Sequence, residues 1–432
     1  MKEEKKDFLI KKEYELVCLS PVHIGSGEEL EQSEYIYDEK TQRVGFLDEG
    51  LWRKFLATQQ LAAAGEDDLS DWQRRLKKIG GGGTLLDELA EAAAQKGCIG
   101  NLLKWLIAKG VKREQVLPLV KSWAQAEPDN YKRLNPRTHS YQKENLNRIA
   151  RHAVTADGQL YIPGSSLKGA FRTAIIRSML IENKELQRTM ADKLAQLISP
   201  SRSIKKDLGR LADELENKIL AKLRLEFDGK KVSNQLKDTL RGLRVSDAYL
   251  VEPVKAVIVQ HTDGLVGGGE NTISLFRECL PAGARLRFTV TIEKAMLKEI
   301  GIEDFEGIIA NMESLLAANC TLLKRAFINR PDLLAEMGKA TLQLGGGTGF
   351  LSKSLWYSLF EENNSSQEEA RRLLAKYFDF SYQVYDPRLH RKRAAHNHQV
   401  KDKVLSPRTL KIAKSNGKTQ IMGLCRIDEV TE

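Results

Sequence analysis

Glycine-rich runs with basic side chains nearby are the residues of this chain best suited to chemistry, and that chemistry is the binding of phosphate groups. The run at 345–349 reads GGGTG and precedes Lys353, while a shorter run, GSG at 25–27, follows His23. Glycine lets backbone N–H groups approach an anion, and a lysine adds positive charge. Neither run has the GxxxxGKS/T spacing of a nucleotide-hydrolysing loop. The predicted contact residues are His23, Gly25, Gly27, Gly345, Gly346, Gly347 and Lys353.

Lys168 and Arg172 form a second basic group, four residues apart in the segment IPGSSLKGAFRT. Serines commonly cap helices, so the segment predicts a helix start with Ser165 beside the two cations. Free N–H donors next to positive side chains suit a phosphate backbone, without reading base identity. An ordinary solvated helix face would show the same pair.

Basic side chains also interleave with aromatic ones between residues 131 and 148. Tyr131 and Tyr141 are suited to stacking on unpaired bases, and Arg137 to contacting nucleic acid; an exposed loop is the alternative. The other basic residues of the segment are Arg133, His139, Lys143 and Arg148.

The net charge of +10 is concentrated near the C-terminus. Between residues 386 and 418 there are ten Lys/Arg and two acidic residues, a net charge of +8. Such a segment is either a solvated face or a phosphate-binding arm, and Arg391, Lys392 and Arg393 are its predicted contacts. A membrane surface is a poorer partner, since no strong apolar stripe accompanies the charge.

Catalytic groups are sparse in the sequence, and neither a catalytic residue nor a metal site nor a cofactor is predicted. His396 and His398 lie in basic surroundings that oppose metal binding, and Asp247 and Asp263 lack the paired carboxylate of two-metal chemistry. His23 has one catalytic alternative, as the general base of a metal-independent RNA cleavage.

Strands and helices must position these residues. The hydrophobic pattern predicts strands over 13–48 with the GSG run as a break, a helical insertion over about 52–127, helices to about 240, further strands to 292, and a helix over 303–337. It also predicts a hairpin pairing 35–37 with 44–47, and a helix capped by Ser366. Leu167, Ala170, Phe171, Ala174 and Ile175 form a predicted buried stripe. Without regular β-α-β spacing, this mixture predicts an α+β fold.

The length of 432 residues suggests more than one domain. The predicted domains are 1–250, which carries the helical insertion, and 251–432, which carries the basic segment. The five cysteines are scattered, and the sequence shows neither a secretory signal nor an apolar run of roughly 18 residues. We therefore expect reduced, buried thiols and a cytoplasmic protein without a membrane partner.

Several segments together resemble a known family. They are SPVHIGSGEEL (20–30), YIPGSSLKGAFRTAI (161–175), GGGENTISLFRECLPAGARLRF (267–288) and LQLGGGTGFLSKS (342–354), with SPRTLK (406–411) and MGLCRI (422–427) in support. The chain resembles the RAMP superfamily of CRISPR proteins and, more narrowly, is similar to the fifth subunit of the type III-A Csm effector complex. The matched segments span nearly the whole chain, apart from the helical region 52–127.

The resemblance implies ferredoxin-like (RRM-like) domains with glycine-rich loops and helical insertions. It implies a non-catalytic subunit that binds crRNA, caps the filament of repeated backbone subunits at the 3′ part of the crRNA, and assists crRNA maturation, with host trimming nucleases as further partners. It also implies that Ser165, Lys168 and Arg172 lie near RNA or a subunit interface, and that Gly345–Gly347 lie beside the RNA backbone. A RAMP endoribonuclease and a protein-only assembly factor are the competing hypotheses.

Overall fold

The computed structural model describes residues 8–58, 85–95, 99–126, 132–134, 141–143, 146–198, 204–224, 232–388 and 390–430. Within these residues the backbone forms two large β-sheets flanked by helices. The strands are β1 (Leu9–Cys18), β2 (Gly25–Leu30), β3 (Tyr35–Asp38), β4 (Arg43–Leu47), β5 (Val120–Ala126), β6 (Lys132–Leu134), β7 (Tyr141–Lys143), β8 (Ile149–His152), β9 (Tyr161–Ile162), β10 (Leu243–Val245), β11 (Ala248–Leu250), β12 (Ala256–Leu265), β13 (Glu270–Cys279), β14 (Arg285–Glu293), β15 (Leu342–Gln343), β16 (Gln383–Asp386), β17 (Arg391–Ala394), β18 (Thr409–Ser415), β19 (Lys418–Ile421) and β20 (Leu424–Glu429).

The helices lie between these strands and include long and very short segments. They are α1 (Glu49–Thr58), α2 (Leu85–Ala94), α3 (Leu102–Ala108), α4 (Arg113–Val116), α5 (Gly164–Glu182), α6 (Lys184–Leu197), α7 (Ile204–Leu220), α8 (Lys294–Leu297), α9 (Phe305–Ala326), α10 (Pro331–Met337), α11 (Asn364–Ser381) and α12 (His398–Lys401). The predicted α+β class is confirmed. None of the described helices is both long and apolar enough to cross a bilayer.

The first sheet has the strand order β15-β20-β1-β14-β11-β9, and β10 also pairs with β14. Tyr14 and Leu16 of β1 are buried and face the core, Glu13 is exposed on the other face, and Glu15 on that other face is covered by its ion pair with Arg285 at 2.7 Å. The rings of Tyr14 and Phe305 lie 4.5 Å apart, and those of Phe305 and Phe171 lie 5.2 Å apart. Helices α5 and α9 therefore cover the inner face of this sheet.

The predicted stripe on α5 is confirmed, because its large side chains are buried and only Ala170 is half-buried. The predicted serine cap is wrong. Helix α5 begins at Gly164, whose N–H donates to Asp247 Oδ1 over 2.7 Å. A β-carbon at Gly164 would overlap the carbonyl oxygen of Val245, so glycine allows the helix start to press against the neighbouring chain.

The second sheet has the order β2-β8-β13-β12-β5-β4-β3, and β18 and β19 extend it from β12. The predicted hairpin is confirmed, since β3 and β4 pair with Tyr35 opposite Phe46. The predicted break at the GSG run is wrong: residues 25–30 form β2, which pairs with β8 across an irregularity between Gly25 and Glu29. A bulge accommodates the extra residues there without ending the strand.

The helical insertion ends earlier than predicted. Residues 120–126 form β5, which lies between β4 and β12 in the second sheet. Helices α1 to α4 build a separate small core around Trp52, Leu102 and Leu106. Residues 59–84 of this region lie outside the described chain.

The two sheets each contain strands from both sides of residue 250. The proposed domain boundary at 250/251 therefore does not separate one sheet from the other, and it stays a prediction. The helix predicted over 303–337 is confirmed as α9 and α10, with a break at 327–330. The predicted cap at Ser366 is wrong, because the Asn363 side chain accepts from the Ser366 N–H and the helix begins at Asn364.

The cysteines of the described residues are free and buried, as predicted: Cys18, Cys279, Cys320 and Cys425. Cys98 lies outside the described residues.

Candidate functional site

The glycine loop, residues 345–349, lies directly against His23. The N–H of Gly346 donates to the carbonyl oxygen of His23 over 2.6 Å. A β-carbon at Gly345 would overlap that oxygen, and one at Gly346 would lie 2.8 Å from Cδ2 of the His23 ring. The fold therefore brings together two predicted groups that are more than 300 residues apart in the sequence.

Every second residue of the glycine loop has a positive φ. Gly345, Gly347 and Gly349 have φ values of +91°, +77° and +96°, and the residues between them have no positive φ. Successive N–H groups in turns of this kind can form an anion-binding nest. Within the described chain, the N–H groups of Gly347 and Gly349 donate to no acceptor. They are available to a ligand.

Cationic side chains surround this loop. A β-carbon at Gly347 would lie 3.4 Å from Cζ of Arg277, and one at Gly349 would lie 3.3 Å from Cγ of Lys411. Lys353 follows in the turn at residues 351–353. Desolvation lowers the pKa of Arg277 and of Lys353, and the positive charge of Arg277 lowers the pKa of Lys353 further. Among the described residues, neither cation forms an ion pair with a carboxylate.

Three side chains on β12 and β18 hold Arg277 in place. Nη1 of Arg277 donates to Nδ1 of His261 over 3.0 Å, so the other nitrogen of His261 carries the proton and donates to Asp263 Oδ1, also over 3.0 Å. Lys411 lies opposite Asp263 in the sheet and donates to the same oxygen over 2.6 Å. Burial opposes ionisation of Asp263, but the hydrogen bonds from His261 and Lys411 outweigh it and lower its pKa.

His23 is a buried, neutral anchor for the glycine loop. Its Nδ1 donates to the carbonyl oxygen of Glu278 over 2.7 Å, and the residue is only 4 % exposed. Burial, followed by the charges of Arg277 and Lys353, lowers the pKa of His23 to about 4. The imidazole is therefore uncharged at neutral pH. No group of three or more metal-ligating side chains occurs among the described residues.

The residues predicted at the start of α5 lie in a different setting. Lys168 Nζ donates to the carbonyl oxygen of Leu243 over 2.7 Å. Arg172 forms ion pairs with Glu216 at 2.6 Å and with Asp238 at 2.7 Å. Ser165 is exposed, close to Asp247, which already accepts from the helix start. The charge of Arg172 is therefore compensated by carboxylates of the chain, whereas Lys168 forms no ion pair among the described residues.

The basic C-terminal segment is not one extended arm, because β18 is an integral strand of the second sheet. Arg391, Lys392 and Arg393 lie together on the exposed strand β17, where Arg393 pairs with Asp386 at 2.8 Å. Arg137 lies outside the described residues. Within the same predicted basic segment, Arg148 pairs with Glu31 at 2.6 Å.

Sequence analysis missed Arg277 and Lys411, although both lie in segments that carried the family resemblance. Strand alternation was the available signal, since Arg277 occupies a half-buried position in β13 between the buried Phe276 and Glu278. Its closeness to the glycine loop depends on a contact between residues 70 positions apart. No local pattern reports such a contact.

Comparison with known proteins identifies the family. A sequence profile described as the RAMP superfamily matches residues 15–352, which is more than three quarters of the chain. The chain belongs to the RAMP superfamily. The glycine loop, His23 and Arg277 all lie inside the matched region of this RAMP protein.

Relatives named CRISPR system Cms protein Csm5 match this RAMP chain. The protein from Enterococcus italicus is 23 % identical over 385 residues, covering 86 % of this chain and 87 % of the relative. The protein from Mycobacterium tuberculosis (strain CDC 1551 / Oshkosh) is 24 % identical over 216 residues, covering 49 % of this chain. The match spans about half of that relative's length, 54 %.

The fold is also similar to a chain in the cryo-EM structure of a Csm-crRNA-target RNA ternary complex of a type III-A CRISPR-Cas system. The TM-score is 0.53 at 18 % identity, over 97 % of this chain and 100 % of that chain. At this identity the likeness concerns the fold alone.

Proposed function

We propose that this RAMP protein is a non-catalytic crRNA-binding subunit of a type III-A CRISPR (Csm) interference complex. The observation that carries the proposal is the convergence, on the glycine loop, of two unpartnered N–H groups with two cations, Arg277 and Lys353, that lack carboxylate partners in the described chain. The ligand suited to this surface is the sugar-phosphate backbone of the crRNA.

Backbone contact fits the chemistry of the site better than base recognition does. N–H groups and lysine or arginine side chains bind phosphate oxygens and fix the path of a strand, but carry no sequence information. In RNA-guided complexes base pairing reads the sequence and the protein reads shape and backbone. The relatives named Csm5, and the Csm-crRNA complex of similar fold, support crRNA as the particular RNA.

The topology supports a ferredoxin-like core for this function. Strands β20, β1, β14 and β11 lie in this order and pair in antiparallel fashion, and α5 and α9 connect β1 to the β10–β11 segment and β14 to β20. We infer from this order a β-α-β-β-α-β unit, with β2–β9 and α1–α4 inserted before α5 and with β12 and β13 inserted before β14.

The place in the complex is proposed from the family resemblance. The chain would cap the repeated backbone subunits at the 3′ part of the crRNA in the cytoplasm, and would assist crRNA maturation and assembly. Other Csm subunits are its partners, and trimming nucleases would act on the RNA that it holds.

Metal-independent cleavage of repeat RNA is the competing function. His23 is 4 % exposed and its ring is fixed between Glu278 and the glycine loop, which favours an anchoring role over that of a general base. Single-turnover incubation with repeat RNA in EDTA tests this directly. We expect no cleavage. If the wild type cleaves the RNA and His23→Ala does not, the protein is a nuclease and the non-catalytic proposal is wrong.

The main test is purification of the tagged chain from its native host, followed by sequencing of the bound RNA. We expect short RNAs with repeat-derived 5′ tags, together with other Csm subunits. Partners without RNA would favour the protein-only assembly factor. A protein free of both RNA and partners would contradict the proposed function.

A further inference from the structure

Strands β16 and β17 form a two-stranded sheet of their own, separate from both large sheets. A lone two-stranded hairpin is marginally stable in water. In this hairpin Tyr385 is 62 % exposed and Val384 is also exposed. The hairpin therefore presents aromatic surface that the core of the protein does not need.

The register of the hairpin pairs its tyrosine with a lysine. Tyr385 lies directly opposite Lys392, and residues opposite each other in an antiparallel pair share one face and lie about 5 Å apart at their β-carbons. Asp386, the acid of the hairpin, points to the other face, where it pairs with Arg393 at 2.8 Å. The face with Tyr385 and Lys392 therefore combines an aromatic ring with an uncompensated positive charge.

Neither side chain is engaged elsewhere in the described chain. The Tyr385 ring makes no aromatic or cation–π contact there and its hydroxyl makes no hydrogen bond, while Lys392 forms no ion pair. By contrast Tyr249, a similarly exposed aromatic at 53 %, stacks on Tyr161 with ring centroids 6.0 Å apart and donates to Asp247. Tyr249 is held by its neighbours, and Tyr385 is open to a ligand.

We propose that Tyr385 and Lys392 form a site for one nucleotide of unpaired RNA, in which the ring stacks on the base and the ammonium group contacts a phosphate. Aromatic rings of this kind bind single strands because every base has a π-face, and the neighbouring cation tracks the backbone. This inference rests on the proposed function and adds a base contact, away from the glycine loop, to the phosphate contacts there.

The positive charge of the hairpin favours RNA over a protein surface as its ligand. Residues 383–394 contain four Lys/Arg and one acidic residue, and that acid is already paired with Arg393. A surface of this sign attracts a polyanion. Paired RNA would hide its base faces from Tyr385, so the ligand is a single strand.

The test measures binding of the full-length chain to a single-stranded RNA oligonucleotide containing 2-aminopurine, by fluorescence anisotropy across a salt series. We expect Tyr385→Ala to weaken binding about 5- to 150-fold, which corresponds to the measured range of base–aromatic stacking, with little change in the salt slope. Tyr385→Phe keeps the ring and should bind like the wild type. Lys392→Gln should reduce the salt slope by about 0.7. Tyr249→Ala is the matched control and should bind normally.

The outcomes separate this inference from the proposed function. If the wild type binds RNA and Tyr385→Ala binds equally well, the nucleotide site is wrong while the proposed function stands. If Tyr385→Phe loses as much affinity as Tyr385→Ala, the hydroxyl matters and stacking is wrong. If Tyr385→Ala keeps its RNA affinity but no longer co-purifies with Csm subunits, the hairpin is a protein interface. A wild-type chain that binds no RNA would overturn both proposals.

Discussion

The glycine loop and the start of α5 look alike in the sequence and differ in the folded chain. Each combines small residues with a lysine a few residues away, Lys353 or Lys168, and each was predicted to contact phosphate. At the glycine loop, Arg277 and Lys353 lack carboxylate partners among the described residues, whereas Arg172 on α5 is held by Glu216 and Asp238. The ion pairs of Arg172 join α5 to its neighbours, and we propose that the charges of Arg277 and Lys353 bind a ligand instead.

The direction of the pKa shifts follows this difference. Desolvation lowers the pKa of Arg277, and the negative charges of Asp263 and Glu29 offset that effect only in part, since neither carboxylate forms an ion pair with Arg277. Desolvation also acts on Arg172, but its hydrogen bonds to Asp238 and Glu216 outweigh that cost and raise its pKa. A phosphate group would stabilise Arg277 as the carboxylates stabilise Arg172. Basic residues thus become binding residues or structural ones according to the acids that the fold places beside them.

The largest expected effect is on the shape of the glycine loop. Gly345→Ala combines a left-handed φ with overlap of the His23 carbonyl oxygen, so we expect it to lower the free energy of unfolding by about 3 kcal/mol or more. Gly27→Ala is the matched control: φ is +89°, but no atom lies within 4 Å of the added carbon, and the cost should be about 1–2 kcal/mol. Urea unfolding of the two variants and the wild type measures both losses in the free energy of unfolding. Equal losses would mean that contact with His23 does not matter.

The next largest effect is expected on RNA affinity, when Arg277 and Arg172 are each replaced by alanine. Arg277→Ala should weaken single-stranded RNA binding about 10- to 100-fold, as expected for loss of a charge-assisted contact. Arg172→Ala should leave RNA affinity within about twofold and lower the free energy of unfolding by up to about 1 kcal/mol, since its ion pairs are partly solvent-exposed. Similar losses of RNA affinity in the two variants would remove the distinction between the regions.

Acid pH should act on the anchor of the glycine loop. The pKa of His23 is about 4 in the folded chain and about 6.5 when unfolded, so the unfolded state binds the proton more readily. The contribution of neutral His23 to the free energy of unfolding is fully present above pH 6.5. It decreases as the pH drops toward 4, by about 2 kcal/mol at pH 5. Urea unfolding at pH 7, 6 and 5 should show a shallower decline in His23→Asn than in the wild type.

His390→Asn, a change at an exposed position of the hairpin, serves as the control for the pH series and should follow the wild type. Identical pH dependence in His23→Asn and the wild type would contradict the buried, neutral anchor.

The smallest expected effect distinguishes the two lysines. Lys353→Gln removes one predicted phosphate contact, so the slope of log K against log salt for single-stranded RNA should become shallower by about 0.7. Lys168→Gln should leave the slope unchanged, because Lys168 already donates to the Leu243 carbonyl oxygen. A salt titration of the two variants beside the wild type decides this. A shallower slope for Lys168→Gln would mean that Lys168 also contacts phosphate and that the start of α5 belongs to the RNA-binding surface.

The sequence by itself determined the elements that depend on near neighbours. The hydrophobic pattern predicted strand structure in the β1 region and the buried stripe of α5, because side-chain direction repeats every two residues in a strand and every three to four in a helix. The glycine run at 345–349 predicted contact with phosphate groups, which stays a prediction; the structure shows that its backbone lies close against His23. The start of α5 and the end of the helical insertion were predicted less well, since Asp247 and the strands beside β5 come from distant segments.

Only the tertiary structure decided which cations are available to a ligand. Lys411 meets Asp263 across 148 residues of sequence, and Arg172 meets Asp238 across 66. The energy of an ion pair depends on the distance between its charges and on their burial, not on their spacing in the chain. The sequence therefore determined where positive charge lies along the chain, and the fold decided where that charge is left without a partner.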